Sequence, residues 1–159
     1  MLDFHNHFPD AFILGVELDH YNTMLAGENL GQGGKGDWYR LIHAGVAAYN
    51  SKRNYDKNVP SNRYSLNGSG PYECLNLDYL LDILHGLPEK IDYIKMDIEG
   101  SEKEVLKVGG RWPLRTKCIQ VELHDYPIEE AKNDLKALGF EIIFKQTEDA
   151  PYMIGFKRD

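Results

Sequence analysis

The chain has 159 residues, a formal net charge of −7, and ordinary proportions of hydrophobic (42%) and charged (27%) residues. That length suits one domain with a sizeable core, and the acidic balance argues against a general nucleic-acid or anionic-membrane surface. No apolar run approaches the roughly 18 residues of a spanning helix, and residues 1–10 lack the apolar centre of a secretory signal.

Two isolated cysteines, Cys74 and Cys118, predict neither a disulfide framework nor a C-x-x-C metal site. Such usage implies a reducing, cytoplasmic setting.

In chain order, residues 2–11 predict the end of a helix closed by Pro9 and Asp10. Phe12-Ile13-Leu14-Gly15-Val16-Glu17 reads as a strand of the continuous apolar kind found in parallel sheets. Asp19 is placed to cap a helix that carries Tyr21, Met24 and Leu25 and ends near Gly31. Gly31-Gln32-Gly33-Gly34-Lys35-Gly36 matches G-x-G-x-x-G literally. It follows a helix and precedes a strand, the reverse of the order in which that fingerprint meets a phosphate, and so reads as a connector.

Residues 41–48 predict another strand. Residues 50–72 are rich in Asn, Ser, Gly and Tyr without a clear period, and predict a long loop with room for a short hairpin. Tyr49, Tyr55, Tyr64 and Tyr72, with Lys52, Arg53, Lys57 and Arg63, suit a sugar or phosphate-bearing acceptor there, or simply a solvated loop. Residues 73–77 predict a short strand, and 78–85 a helix.

The run Ile91-Asp92-Tyr93-Ile94-Lys95-Met96-Asp97-Ile98-Glu99-Gly100-Ser101-Glu102 organises the rest. Its apolar residues predict a buried strand, and Ser101-Glu102-Lys103-Glu104 has the S-x-x-E form of a capping box opening a helix to about residue 109. Residues 117–123 predict the next strand. Pro127 opens a helix with Ile128, Ala131, Leu135 and Leu138 on one face, ended by Gly139. Residues 140–145 and 152–157 predict an antiparallel pair. This order implies an α/β fold with a mostly parallel sheet and an antiparallel C-terminal hairpin.

Carboxylates just past the carboxyl end of a strand stand where open α/β sheets bind ligands. Asp97 and Glu99 have strand spacing, as do Glu122 and His124, and neighbouring parallel strands would bring the two pairs together. That set could hold a divalent metal through Asp97, Glu122 and His124. It could instead use His124 as a general base on a hydroxyl. The bland alternatives are helix capping by Asp97 and Glu99 and a surface role for His124. Lys95 reads as an ion-pair partner of a neighbouring acid, and His5 and His7 as surface residues. Glu17 is either a solvated strand-end acid or an acceptor for a pair of ribose hydroxyls.

Lys95-Met96-Asp97-Ile98-Glu99-Gly100-Ser101-Glu102, followed by Val105-Leu106 and Gly109, resembles the central motif of FkbM-type methyltransferases. The resemblance runs from about residue 12 onward. It implies a Rossmann-like methyltransferase sheet, S-adenosylmethionine as cofactor, and O-methylation of a small hydroxylated acceptor such as a sugar. By the same resemblance, Val16-Glu17-Leu18-Asp19 stands where the family places its ribose acid. Glu17, Leu18 and Asp97 are then cofactor-binding, while Asp97, Glu99, Glu122 and His124 are catalytic. Ala47 and Ala48 follow a strand where the family lines its adenine pocket.

The family also has a strand and a D-x-G-x-x-x-G loop before its ribose-acid strand. Nothing upstream of Phe12 supplies them, so a single, N-terminally truncated domain lacking that first strand is expected. An open sheet edge of this kind makes a homodimer plausible. Two rival readings follow: a non-catalytic binding or assembly module of the same ancestry, and a metal-dependent hydrolase built on the Asp/Glu/His set. No nucleic-acid or membrane partner is expected.

Overall fold

Short apolar runs separated by capping and turn residues become nine strands and six helices among the residues described by the computed structural model, which are 1–31, 36–55, 66–83, 89–146 and 151–158. They fall into two compact units, Met1–Gly45 and Val46–Asp159. None of the described helices is long and apolar enough to cross a membrane.

The first unit contains α1 (Leu2–His7), β1 (Ile13–Glu17), α2 (His20–Asn29) and β2 (Tyr39–His43). β1 and β2 pair in parallel, with Glu17 opposite His43. The Asp19 side chain caps α2 as expected, accepting from Asn22 N–H at 2.9 Å. Every β1 residue is only half-buried, and α1 buries none. His5 departs from the surface reading, since its ring stacks on Trp38 at 3.9 Å. Residues 32–35 of the glycine-rich segment lie outside the described residues.

The strand expected over 41–48 begins earlier and divides into β2 and β3 (Gly45–Val46), because the chain leaves one sheet and enters another. β3 belongs to a three-stranded sheet of order β3-β5-β4, with β4 at Ser51–Tyr55 and β5 at Leu66–Leu75. Both described ends of the expected long loop are therefore strands of an antiparallel hairpin. Tyr55 is buried against Tyr72, with ring centroids 4.5 Å apart. Arg53 makes a bidentate pair with Glu104, at 2.7 and 3.1 Å. These side chains hold structure rather than stand ready for an acceptor. Tyr64, Lys57 and Arg63 lie outside the described residues.

α3 (Leu77–Asp82) is capped by Asn76. It is followed by β6 (Ile91–Met96), α4 (Glu102–Val108), α5 (Trp112–Arg115), β7 (Thr116–Glu122), α6 (Ile128–Ala137), β8 (Glu141–Gln146) and β9 (Pro151–Phe156). The sheet order is β6-β7-β9-β8. β6 and β7 are parallel, and β9 is antiparallel to both of its neighbours. Ile94 pairs with Ile119, Met96 with Val121, and Val121 with Met153. These side chains share one face and meet Val105, Leu106, Ala131 and Leu135 in a single core. Phe140 joins it because Gly155 has no side chain: a Cβ there would lie 3.0 Å from both Ile119 and Phe140.

The chain is thus a mixed α/β protein. The expected mostly parallel sheet is corrected, among the described residues, to three sheets: β1 and β2 pair in parallel, β4 and β5 antiparallel, and the four-stranded sheet holds both kinds of pairing side by side. The C-terminal antiparallel hairpin is present as β8 and β9.

Candidate functional site

The end of β1 carries Glu17 and Leu18. Glu17 Oε1 accepts the Asp19 N–H at 2.7 Å, and no partner holds its second oxygen among the described residues. The Leu18 carbonyl lies 3.0 Å from His43 Nε2. A carbonyl only accepts, so Nε2–H of His43 donates and the ring's tautomer is set. The His20 ring leans on His43 at 5.1 Å. Sequence reasoning missed both histidines; only the strand register puts His43 beside Glu17.

The ends of β6 and β7 carry the denser arrangement. β6 stops at Met96, so Asp97 and Glu99 lie just past its carboxyl end, as expected, and the shared face of a continuing strand does not arise. The chain then turns sharply. Glu99 has φ 53 and Gly100 φ 99, a region that L-residues other than glycine enter at a cost of about 1–2 kcal/mol. After β7, Asp125 has φ 50. These are the two non-glycine residues with positive φ among those described, and they bracket one cluster.

The capping box does not form. Ser101 makes no side-chain cap bond, and Glu104 turns to Arg53. Glu102 does the local work instead. Its side chain is fully buried (0% exposed). Oε1 accepts the Ile98 N–H at 2.9 Å, and Oε2 accepts the Gly100 N–H at 2.8 Å. Those two bonds clamp the backbone on either side of Glu99. Without them two amides would lose their partners, at about 1–3 kcal/mol for each one buried.

Parallel pairing of β6 and β7 brings the cluster together. His124 Nε2 lies 3.5 Å from Glu99 Oε2, 3.5 Å from Glu122 Oε1 and 4.0 Å from Asp97 Oδ1. Its Nδ1 is 3.0 Å from Glu102 Oε1. Lys95 Nζ donates to Asp97 Oδ2 at 2.6 Å, the ion pair expected of it. All four residues expected to be catalytic, Asp97, Glu99, Glu122 and His124, are therefore neighbours. Glu102 was seen in the motif but not as a member of the site. Asp97, Glu122 and His124 each offer a ligand atom, all within 4.8 Å of one another.

The charges are coupled. Burial pushes the Glu99 carboxyl above its usual range; His124 opposes this, while Asp97, Glu102 and Glu122 add to it. Burial alone would pull the His124 pKa down. The Glu102 hydrogen bond and the charges of Glu102, Glu99 and Asp97 outweigh burial and raise it. The imidazole accordingly keeps its proton to higher pH than an ordinary histidine. An edge lined by acceptors and one imidazole suits a neutral, hydroxyl-rich ligand better than an anion.

Residues 10–149 match the family model described as Methyltransferase FkbM domain. No curated protein and no solved structure matches the chain.

Proposed function

The chain belongs to the FkbM methyltransferase family, and from that premise we propose that it moves a methyl group from S-adenosylmethionine to a hydroxyl of a small, uncharged acceptor such as a sugar. The observation that carries the reading is the placing of His124 Nε2 within 4.0 Å of three carboxylates at the carboxyl ends of two parallel strands. When bound, S-adenosylmethionine supplies an electrophilic methyl. The chain's own residues hold and orient the acceptor, which is the main task in such a transfer. Asp97, Glu99 and Glu122 accept hydrogen bonds from its hydroxyls, and His124 Nε2 takes the proton that the reacting hydroxyl gives up. At the end of β1, the second oxygen of Glu17 is open to a ribose hydroxyl, and Leu18 presents backbone beside it.

The first test is calorimetric titration of the folded protein with S-adenosylhomocysteine. Micromolar binding supports the reading. No binding at millimolar ligand sinks it and leaves a non-catalytic binding module of the same family. With an acceptor in hand, Asp97→Asn should abolish transfer while leaving the melting temperature nearly unchanged. Its pair with Lys95 is half-exposed, and such pairs contribute about 0–1 kcal/mol. The rate should also rise with pH through a value above about 6.5, as His124 loses its proton.

The close ligand atoms of Asp97, Glu122 and His124 favour a second reading, in which a divalent cation orients the acceptor hydroxyl. Chelator treatment separates the two: transfer that survives it excludes an essential metal, and transfer restored only by added Mg or Mn supports one.

A further inference from the structure

We propose that Glu102 is the positioning residue of this site, holding the His124 ring in the Nδ1–H tautomer so that the Nε2 lone pair faces the carboxylates of Asp97, Glu99 and Glu122. What Nε2 then does rests on the reading above; which nitrogen is presented does not.

The argument is one of donors and acceptors. Both oxygens of Glu102 already accept backbone N–H groups, from Ile98 and Gly100. A carboxylate has no proton to give, so the contact with His124 Nδ1 is a hydrogen bond only if Nδ1 carries the proton. In the neutral ring Nε2 is then bare. Nε2 faces three carboxylates at 3.5–4.0 Å. None of these can donate to it while ionised, so it is free to take a proton from an incoming hydroxyl.

The buried end of the ring thus meets a fixed acceptor, and the half-buried end meets the ligand side. Orientation of a histidine by a hydrogen-bonded carboxylate is a general way to choose its reactive nitrogen. Glu102 is well placed for this because its side chain is fully buried and tied to the loop that carries Glu99. Glutamine has the same shape but brings an amide donor that must oppose either Gly100 N–H, or Ile98 N–H together with His124 Nδ1–H. The network cannot be satisfied in full by an amide.

The test reads the ring directly. Nitrogen-15 shifts of the His124 imidazole are measured in the intact protein at a pH well above about 6.5, where the ring is neutral. The expected result is a protonated Nδ1 and a bare Nε2. A protonated Nε2 with bare Nδ1, or an even mixture, overturns the proposal. In Glu102→Leu, which removes the acceptor for Nδ1–H altogether, and provided circular dichroism shows it folded, the preference should fall to a mixture or invert; an unchanged tautomer there overturns the proposal too. If that variant fails to fold, the wild-type shifts decide alone. The measurement needs neither cofactor nor acceptor, so failure to bind S-adenosylhomocysteine removes the proposed reaction without touching the tautomer. With activity in hand, Glu102→Gln should lower kcat by about ten-fold or more with a smaller change in KM, and should shift the pH profile, which a purely structural role would leave in place.

Discussion

The acid that ends β1 and the acids that end β6 and β7 occupy equivalent places on their strands, yet they are held very differently. The Glu17 side chain accepts one hydrogen bond, from the Asp19 N–H two residues on, on a strand whose residues are all half-buried. Asp97, Glu99 and Glu122 gather around His124, whose ring is fixed from behind by a fully buried carboxylate. Beneath them lies a core of fully buried side chains, among them Ile119, Val121, Leu135 and Met153. The lesson is that an acid at a strand end becomes a pre-set group only when the loop beyond it folds back. That loop must then supply donors, and a packed core must keep it there.

The contrast is broken most directly by cavity formation. Leu135→Ala should cost about 2–5 kcal/mol of unfolding free energy, because the side chain is fully enclosed. Val16→Ala, on half-buried β1, should cost about 1 kcal/mol. Chemical denaturation measures both, and equal losses would show that the two regions are packed alike after all.

A smaller effect sharpens the same comparison electrostatically. Glu99 has its folded-state pKa raised, so the fold favours its neutral form. Its stabilising contribution is complete below the unfolded carboxyl value of about 4.3. That contribution is lost as pH rises through the higher folded value. At neutral pH the charged Glu99 is therefore a burden, and Glu99→Gln should raise stability by about 1 kcal/mol or less. The gain should vanish as the solution is acidified through the carboxylate range. Glu17→Gln, outside any such cluster, should stay within about 0.5 kcal/mol at neutral pH. A Glu99→Gln protein that is less stable at neutral pH would mean that its ion pair with His124 outweighs the repulsion.

Much of this was legible because local rules govern it. Asp19 caps α2, Gly139 with φ 87 ends the α6 region, and Ala131 and Leu135 fall on the buried side of α6. The apolar runs marked β1, β6 and β7 as strands, but the buried strand expected at 91–96 is corrected: β6 buries only Met96, and β1 is half-buried throughout. The other misreadings share one cause. Ser101-Glu102-Lys103-Glu104 has the letters of a capping box, but both glutamates found partners far away in sequence. Residues 51–55 and 66–75 lack a clean alternation because the hairpin is irregular around Arg53 and is secured through Glu104.

By itself the sequence determined most of the strands and helices outside residues 50–72 and the short α5, that Asp97, Glu99, Glu122 and His124 would stand at strand ends, and which family's motif they carry. It could do so because propensity, capping and alternation act over a few residues. Only the tertiary structure decided that Glu99 sits in a left-handed turn, that Glu102 rather than Ser101 secures it, and which nitrogen of His124 looks outward. The clamp on Glu99 closes within four residues and the His124 contact spans 22; both are outcomes of hydrogen-bond competition in which a buried carboxylate takes whichever donors the fold brings within reach.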